Sequence, residues 1–241
     1  MCVGLNDLTR RLEVLKEDKM SFKTFRRKLP DFLFEIEEGN GESYIVKYVT
    51  DVYMKNDLRN FTGKTRILEY KLDGSYKNIE EMRNDIDINK CYSNNFEGMI
   101  SINVTSLSDY MNWEQYDYFL KTIREYSQYA SLIIFINPKT DKEKLLYKKL
   151  ALDLGWLECF KVEKYDTKEL IEMVVEKLND MGIDITAEKA LSKALIKVFE
   201  KMEVKVCRDI EIVIDKIVKY VDFYKYRPEI NMTCIEKIKN I

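Results

Sequence analysis

Apolar positions fall into two rhythms along this chain, and each change of rhythm marks a new element. Leu5, Leu8, Leu12 and Leu15 recur at spacings of three and four, which predicts an amphipathic helix between residues 3 and 20. A compact run, Phe32, Leu33, Phe34 and Ile36, then reads as a buried strand. Ile45, Val46, Val49, Val52 and Tyr53 return to helical spacing and predict a helix over residues 43–56. The exchange repeats: strands are expected near residues 66–72, 99–104, 131–136 and 157–162, separated by helices around 79–86, 112–130 and 141–154. Runs such as Leu132-Ile133-Ile134-Phe135-Ile136 leave no polar alternate positions, so both faces of those strands are expected to be covered. This alternation predicts an α/β fold with a five-stranded parallel sheet flanked by helices.

After residue 165 only the helical rhythm remains. Asp166 and Thr167 stand where a cap belongs, ahead of Leu170, Ile171, Val174, Val175 and Leu178, and Gly182 ends that helix. Thr186 is a candidate N-cap for a second helix reaching Met202; Lys189 occupies the capping-box position, so a plain cap is expected. A third helix is expected over 207–224, and a short one in 230–241 beyond Pro228. The chain is therefore expected to divide into an α/β part, 1–165, and a small helical part, 166–241.

The junction between the first strand and its helix carries the candidate chemistry. Gly39-Asn40-Gly41-Glu42-Ser43 places a glycine-rich turn between strand and helix, the build of a phosphate-binding loop. Such a loop also needs a lysine just before its Ser or Thr, and here that position is Glu42; the first motif glycine is Ile36. A second stretch, Thr62-Gly63-Lys64-Thr65, mimics the end of such a loop. Leu58 stands where its first glycine belongs and its strand follows instead of preceding it, so it reads as a turn entering the second strand.

Composition narrows the function. The chain has 241 residues, 46% hydrophobic and 34% charged, with 8 Gly and 3 Pro, which fits a helix-rich folded protein. A net charge of −2 supplies no general attraction to nucleic acid or acidic membranes, and the basic run Lys23 to Lys28 reads as a solvated face. No apolar run approaches the roughly 18 residues that span a bilayer. The N-terminus shows no signal-peptide core. Five scattered cysteines without a C-x-x-C pair argue against disulfides and zinc and for a reducing cytoplasm. The absence of histidine removes the commonest general base.

Taken in order, these segments resemble the AAA+ ATPases over nearly the whole chain. Val3-Gly4-Leu5 resembles the family's N-terminal V/I-G-L segment, and Asp31–Ser43 its first strand and phosphate loop. Met99–Ser106 stands in place of the Walker B strand, and Ser131–Asn137 resembles the strand ending in the sensor 1 polar residue. Tyr165 to Leu170 resembles the start of the helical lid, in the manner of the CbxX-like branch, and Cys207-Arg208-Asp209-Ile210 the helix carrying the sensor 2 arginine. The resemblance implies five parallel strands, a lid of three or four helices and ring assembly. It also implies a nucleotide-binding set of Gly39, Asn40, Gly41, Glu42, Ser43, Asn137 and Arg208. Asn137 reads equally as a turn former before Pro138, and Arg208 as a surface arginine.

The departures decide the expectation. Hydrolysis asks for the loop lysine, an aspartate for Mg²⁺ and a glutamate to orient water. Here Glu42 replaces the lysine, Ser101-Ile102-Asn103-Val104-Thr105-Ser106 ends without an acid, Asp109 comes three residues late, and Leu152–Leu157 holds no finger arginine. No catalytic residue, metal site or bound cofactor is expected. The expected function is a catalytically degenerate AAA+-like module acting through other protein subunits, an active AAA+ ATPase or further copies of itself. The alternatives are an ATP-dependent remodelling ATPase with ATP and Mg²⁺, and a clamp-loader-like nucleic-acid subunit, against which the charge speaks.

Overall fold

The computed structural model describes residues 5–19, 29–56, 58, 67–72, 75–92, 98–105, 113–223 and 227–241. The Val3-Gly4 pair, the basic run, the Thr62–Thr65 stretch, Ser106 and Asp109 lie outside them. The chain divides into two compact units. One comprises residues 5–38 and 42–162; the other comprises residues 163–241 together with Gly39–Gly41.

In the larger unit, β1 (Asp31–Glu35), β2 (Ile67–Leu72), β3 (Met99–Val104), β4 (Ser131–Ile136) and β5 (Leu157–Lys161) form one sheet in the order β2-β3-β4-β1-β5. Every pairing is parallel, as the doubly buried apolar runs predict. Parallel neighbours need crossovers, and helices supply them: α1 (Asn6–Glu17) precedes β1, α2 (Glu42–Lys55) follows it, and α3 (Tyr76–Tyr92), α4 (Trp113–Tyr126) and α5 (Asp141–Asp153) link the rest. Around Ile79–Ile86 the helix runs longer than its apolar positions alone predict.

Register sorts the side chains onto two faces. Leu33, Ile100, Ile102, Val104, Leu132, Ile134 and Ile136 share one core with Ile79, Met82 and Ile86 of α3, Phe119 and Ile123 of α4, and Leu150 of α5. The opposite face carries an aromatic row. Phe34 stacks on Phe135 at 5.4 Å and on Phe160 at 5.5 Å. On this side the Thr50 hydroxyl of α2 reaches Met99 Sδ at 3.1 Å, and Arg11 of α1 donates to Glu158 at 2.7 Å. Thr140 and Glu143 close a capping box that starts α5.

The second unit contains α6 (Thr167–Asp180), α7 (Glu188–Met202), α8 (Cys207–Val218) and α9 (Met232–Ile238). Asp166 accepts from the Glu169 N–H at 2.8 Å and donates its own N–H to Glu169 at 2.8 Å, a full capping box. Helices alone do not account for this unit. Asp184–Ile185 (β6) pairs in parallel with Glu229–Ile230 (β7). Two residues are too few for a period-2 pattern, so the sequence carries no trace of this ladder. It also explains why Thr186 does not cap α7: its hydroxyl donates to the Ile230 carbonyl at 3.3 Å, and Ala187 takes the cap position without a side-chain bond. The third helix stops at Val218, short of residue 224.

Phe34 is fully buried between two rings. Phe34→Ala is expected to lower unfolding stability by about 3–5 kcal/mol, read from the urea midpoint at unchanged slope. A loss below about 1 kcal/mol would show that the aromatic row is not the core of this face.

Candidate functional site

Because all five strands run the same way, their carboxyl ends open on one edge, where ligands bind in open α/β sheets. β1 leads through Ile36, Glu37 and Glu38 into Gly39-Asn40-Gly41, and α2 starts at Glu42.

Gly39 and Gly41 adopt φ of 90° and 101°, where a side chain is strained, so both turns ask for glycine. Between them Asn40 is 1% exposed, and neither its Oδ1 nor its Nδ2 has a partner among the described residues. The Gly39 carbonyl accepts from the Arg208 N–H at 3.0 Å. A Cβ at Gly39 would meet Val206 Cγ2 at 3.2 Å and the Arg208 guanidinium carbon at 3.6 Å. Gly39 and Arg208 are thus neighbours, joined through backbone. Asp209 accepts from the two N–H groups just ahead of α8, Lys205 at 2.8 Å and Val206 at 3.1 Å.

In the larger unit, Glu42 and Ser43 line a cleft of about 290 Å³ with Glu69, Lys71, Ser101 and Asn103. Asn137 lines a smaller recess with Glu38, Glu42, Asn103 and Lys139. Glu42, Asn103 and Asn137 are therefore brought to one edge. Lys71 Nζ lies 3.0 Å from Glu38 Oε1, so its charge is answered within the chain. Tyr70 also borders the cleft, but its hydroxyl donates to Asp85; burial and that bond push its phenol well above the ordinary tyrosine range.

The described residues at this edge do not fit a magnesium–phosphate pair. Glu42 adds a negative charge beside the turn, and the end of β3 offers Asn103, Val104 and Thr105, whose hydroxyl is already spent on the Leu72 carbonyl at 3.1 Å. Among the described residues no group of three or more His, Cys, Asp or Glu is placed to hold a metal ion.

Two features escaped the sequence. Glu69 and Lys71 alternate with Leu68, Tyr70 and Leu72, a period-2 signal that puts them on one face, whereas the apolar members alone suffice to place the strand. The segment 152–157 lacks arginine, but Arg124 of α4 comes to it, donating to the Asp153 carbonyl at 3.1 Å and lying 6.0 Å from the Trp156 ring centroid. Nothing local in sequence announces that approach.

No family model and no curated protein sequence matches the chain. Solved structures do. A point mutant of Thermotoga maritima RuvB matches with a TM-score of 0.62 at 13% identity, over 99% of this chain and 70% of that one. Domain III of the Thermotoga maritima replication initiation protein DnaA matches with a TM-score of 0.54 at 13% identity, over 99% of this chain and 92% of that one. The fold is that of the AAA+ ATPases. A further RuvB structure, described as the Holliday junction branch migration motor, gives a TM-score of 0.58 at 12% identity over 98% of this chain and 69% of that one. At such identities the match carries the AAA+ fold and nothing finer; no neighbour singles out the CbxX-like branch. Among the described residues no helix is long and apolar enough to cross a membrane.

Gly39 and Gly182 separate two costs of adding a Cβ. Both have positive φ, but only Gly39 is crowded; nothing lies within 4 Å of a Cβ at Gly182. Gly182→Ala is expected to cost about 1–2 kcal/mol from backbone strain alone. Gly39→Ala should cost measurably more in the same denaturant titration. Equal losses would refute close packing at the loop.

Proposed function

We propose that this chain is a catalytically degenerate AAA+-like module that regulates or scaffolds through contacts with other protein subunits. The observation that carries this reading is the pairing of Glu42 with Asn103 in one cleft. At the two positions where the fold's hydrolysis chemistry wants a lysine and an acid, the chain has an acid and an amide. A phosphate oxygen about 4 Å from the Glu42 carboxylate would be opposed by about 4 kcal/mol at an effective dielectric near 20. Among the described residues, the end of β3 offers no carboxylate to hold magnesium or to activate a water. Partners would be a working AAA+ ATPase or further copies of this chain. The cysteine usage favours a reducing cytoplasm.

A second reading, ATP-dependent remodelling, is favoured by one observation. Gly39 and Gly41 keep left-handed backbone, and the buried Asn40 amide between them lacks a partner among the described residues. The RuvB and DnaA neighbours suggest a third, nucleic-acid handling; the net charge of −2 and the placement of Tyr116 and Phe119 in the core weigh against it.

Purified protein is expected to show no Mg²⁺-dependent ATP turnover above a no-enzyme control. Turnover that disappears on changing Ser43 or Arg208 would establish the second reading instead. Glu42→Lys is expected to bring ATP affinity into the range calorimetry measures, since the sign of the nearest charge reverses, without restoring hydrolysis. If Glu42→Lys binds no better than the parent, charge is not what keeps nucleotide out, and the turn beginning at Ile36 is at fault.

A further inference from the structure

We propose that the cleft beneath the first turn of α2 binds a compact organic cation, a primary ammonium or guanidinium group, instead of phosphate. The proposal deepens the reading that this edge has lost its nucleotide chemistry, and rests on it.

Its first ground is an unmet hydrogen bond. Ser101 is 6% exposed and borders the cleft, yet its hydroxyl has no partner among the described residues. Asn103, two residues along the same face of β3, has none for its side-chain amide either among those residues. Polar side chains in buried positions find partners in nearly all folded proteins. Ser101 is buried and Asn103 half-buried, and with both bordering one cleft they leave room for a ligand that completes them. Both side chains offer oxygen acceptors to an N–H donor.

Charge then selects the sign of the ligand. Glu42 and Glu69 face the cleft, and Glu69 forms no ion pair among the described residues. The cations nearby are Lys71, held by Glu38 at 3.0 Å, and Lys139 in the adjoining recess that Glu38 and Glu42 also line. Three carboxylates thus face two ammonium groups, and an entering anion would meet Glu42 and Glu69 first. The positive end of α2 opposes a cation with about half an elementary charge, less than the two carboxylates supply.

Position and size do the rest. Glu69 is the register partner of Ser101, and Lys71 of Asn103, so the polar groups are mounted on paired strands about 4.8 Å apart and need no rearrangement. A volume of about 290 Å³ lies at the small end of ligand sites, suited to one cationic head and a short stem.

The test is calorimetry on the full chain at matched ionic strength with two probes, 1,4-diaminobutane and N-acetyl-arginine amide, and with ATP and inorganic phosphate as anionic counter-probes. Saturable binding of at least one cation is expected, weakened about tenfold or more by Glu69→Gln and by Ser101→Ala, as loss of a charged or buried hydrogen bond implies. Circular dichroism and thermal unfolding confirm that both variants fold. Binding of the diamine alone assigns the site to free amines; binding of the blocked arginine alone assigns it to a partner's basic side chain. Absence of saturable heat with both cations, or variants that bind like the parent, would overturn the proposal. So would phosphate or ATP binding that Glu69→Gln leaves unchanged. ATP turnover is measured on the same sample. Its appearance would overturn the degenerate reading itself, whereas failed cation binding without turnover would remove only this inference.

Discussion

The parallel ladder is the constraint from which the larger unit follows. Strands hydrogen-bonded side by side in one direction cannot be joined by tight turns, so each return must cross a face, and a helix is the simplest way to satisfy the returning backbone. Those helices cover both faces, which is why β4 is apolar at every position from Leu132 to Ile136. The same directionality collects every strand's carboxyl end at one edge. Glu38, Asn103, Thr105 and Asn137 therefore lie near one another despite their distance in sequence. The chemistry of that edge was set by the topology before any of its side chains was chosen.

Coverage is not uniform across the sheet, and the uneven part is where the site lies. Over β1, β4 and β5 the face under α1 and α2 is closed by Phe32, Phe34, Phe135 and Phe160. Toward β2 the same face turns polar, with Glu69 beside Ser101 and Lys71 beside Asn103. An apolar face would stabilise a sheet more, since buried polar groups recover their desolvation cost only when bonded. Lys71 meets Glu38, and the phenol of Tyr70, on the other face of β2, finds Asp85. Ser101 and Asn103 have no such partner among the described residues. The sheet is thus least self-sufficient at the flank next to α2.

The strands and their order of alternation with helices were legible because period is a long-range signal: four or more apolar positions outvote any single residue. Parallel pairing followed from the absence of polar alternates in β4. What escaped were contacts too short or too distant to leave a period. The two-residue pairing of Asp184–Ile185 with Glu229–Ile230 has no pattern to read, and it draws Thr186 away from the cap its residue type suggests. Arg124 reaches the end of α5 from another helix, so the lack of arginine within residues 152–157 says nothing of what stands beside them in space. The glycine turn was legible in Gly39 and Gly41 because left-handed backbone restricts residue choice; the neighbourhood of Asn40 was not, because burial of a loop residue is decided by what packs over it.

The sign of Glu42 fits the fold even though it opposes phosphate. A carboxylate in the first turn of a helix is stabilised by the exposed N–H groups there, by about 0.3–1 kcal/mol, and Glu42 occupies that turn of α2. In the other unit the Arg208 amide in the first turn of α8 is answered by the carbonyl of Gly39, and the Lys205 and Val206 amides just ahead of that helix by Asp209. A helix N-terminus binds an anion most readily when its donors are orphaned. Here the α8 end has an acceptor of its own chain in the Gly39 carbonyl, and the α2 end carries the Glu42 carboxylate in its first turn. A glutamate in place of a loop lysine therefore lowers the attraction for phosphate while suiting the dipole of the helix it opens.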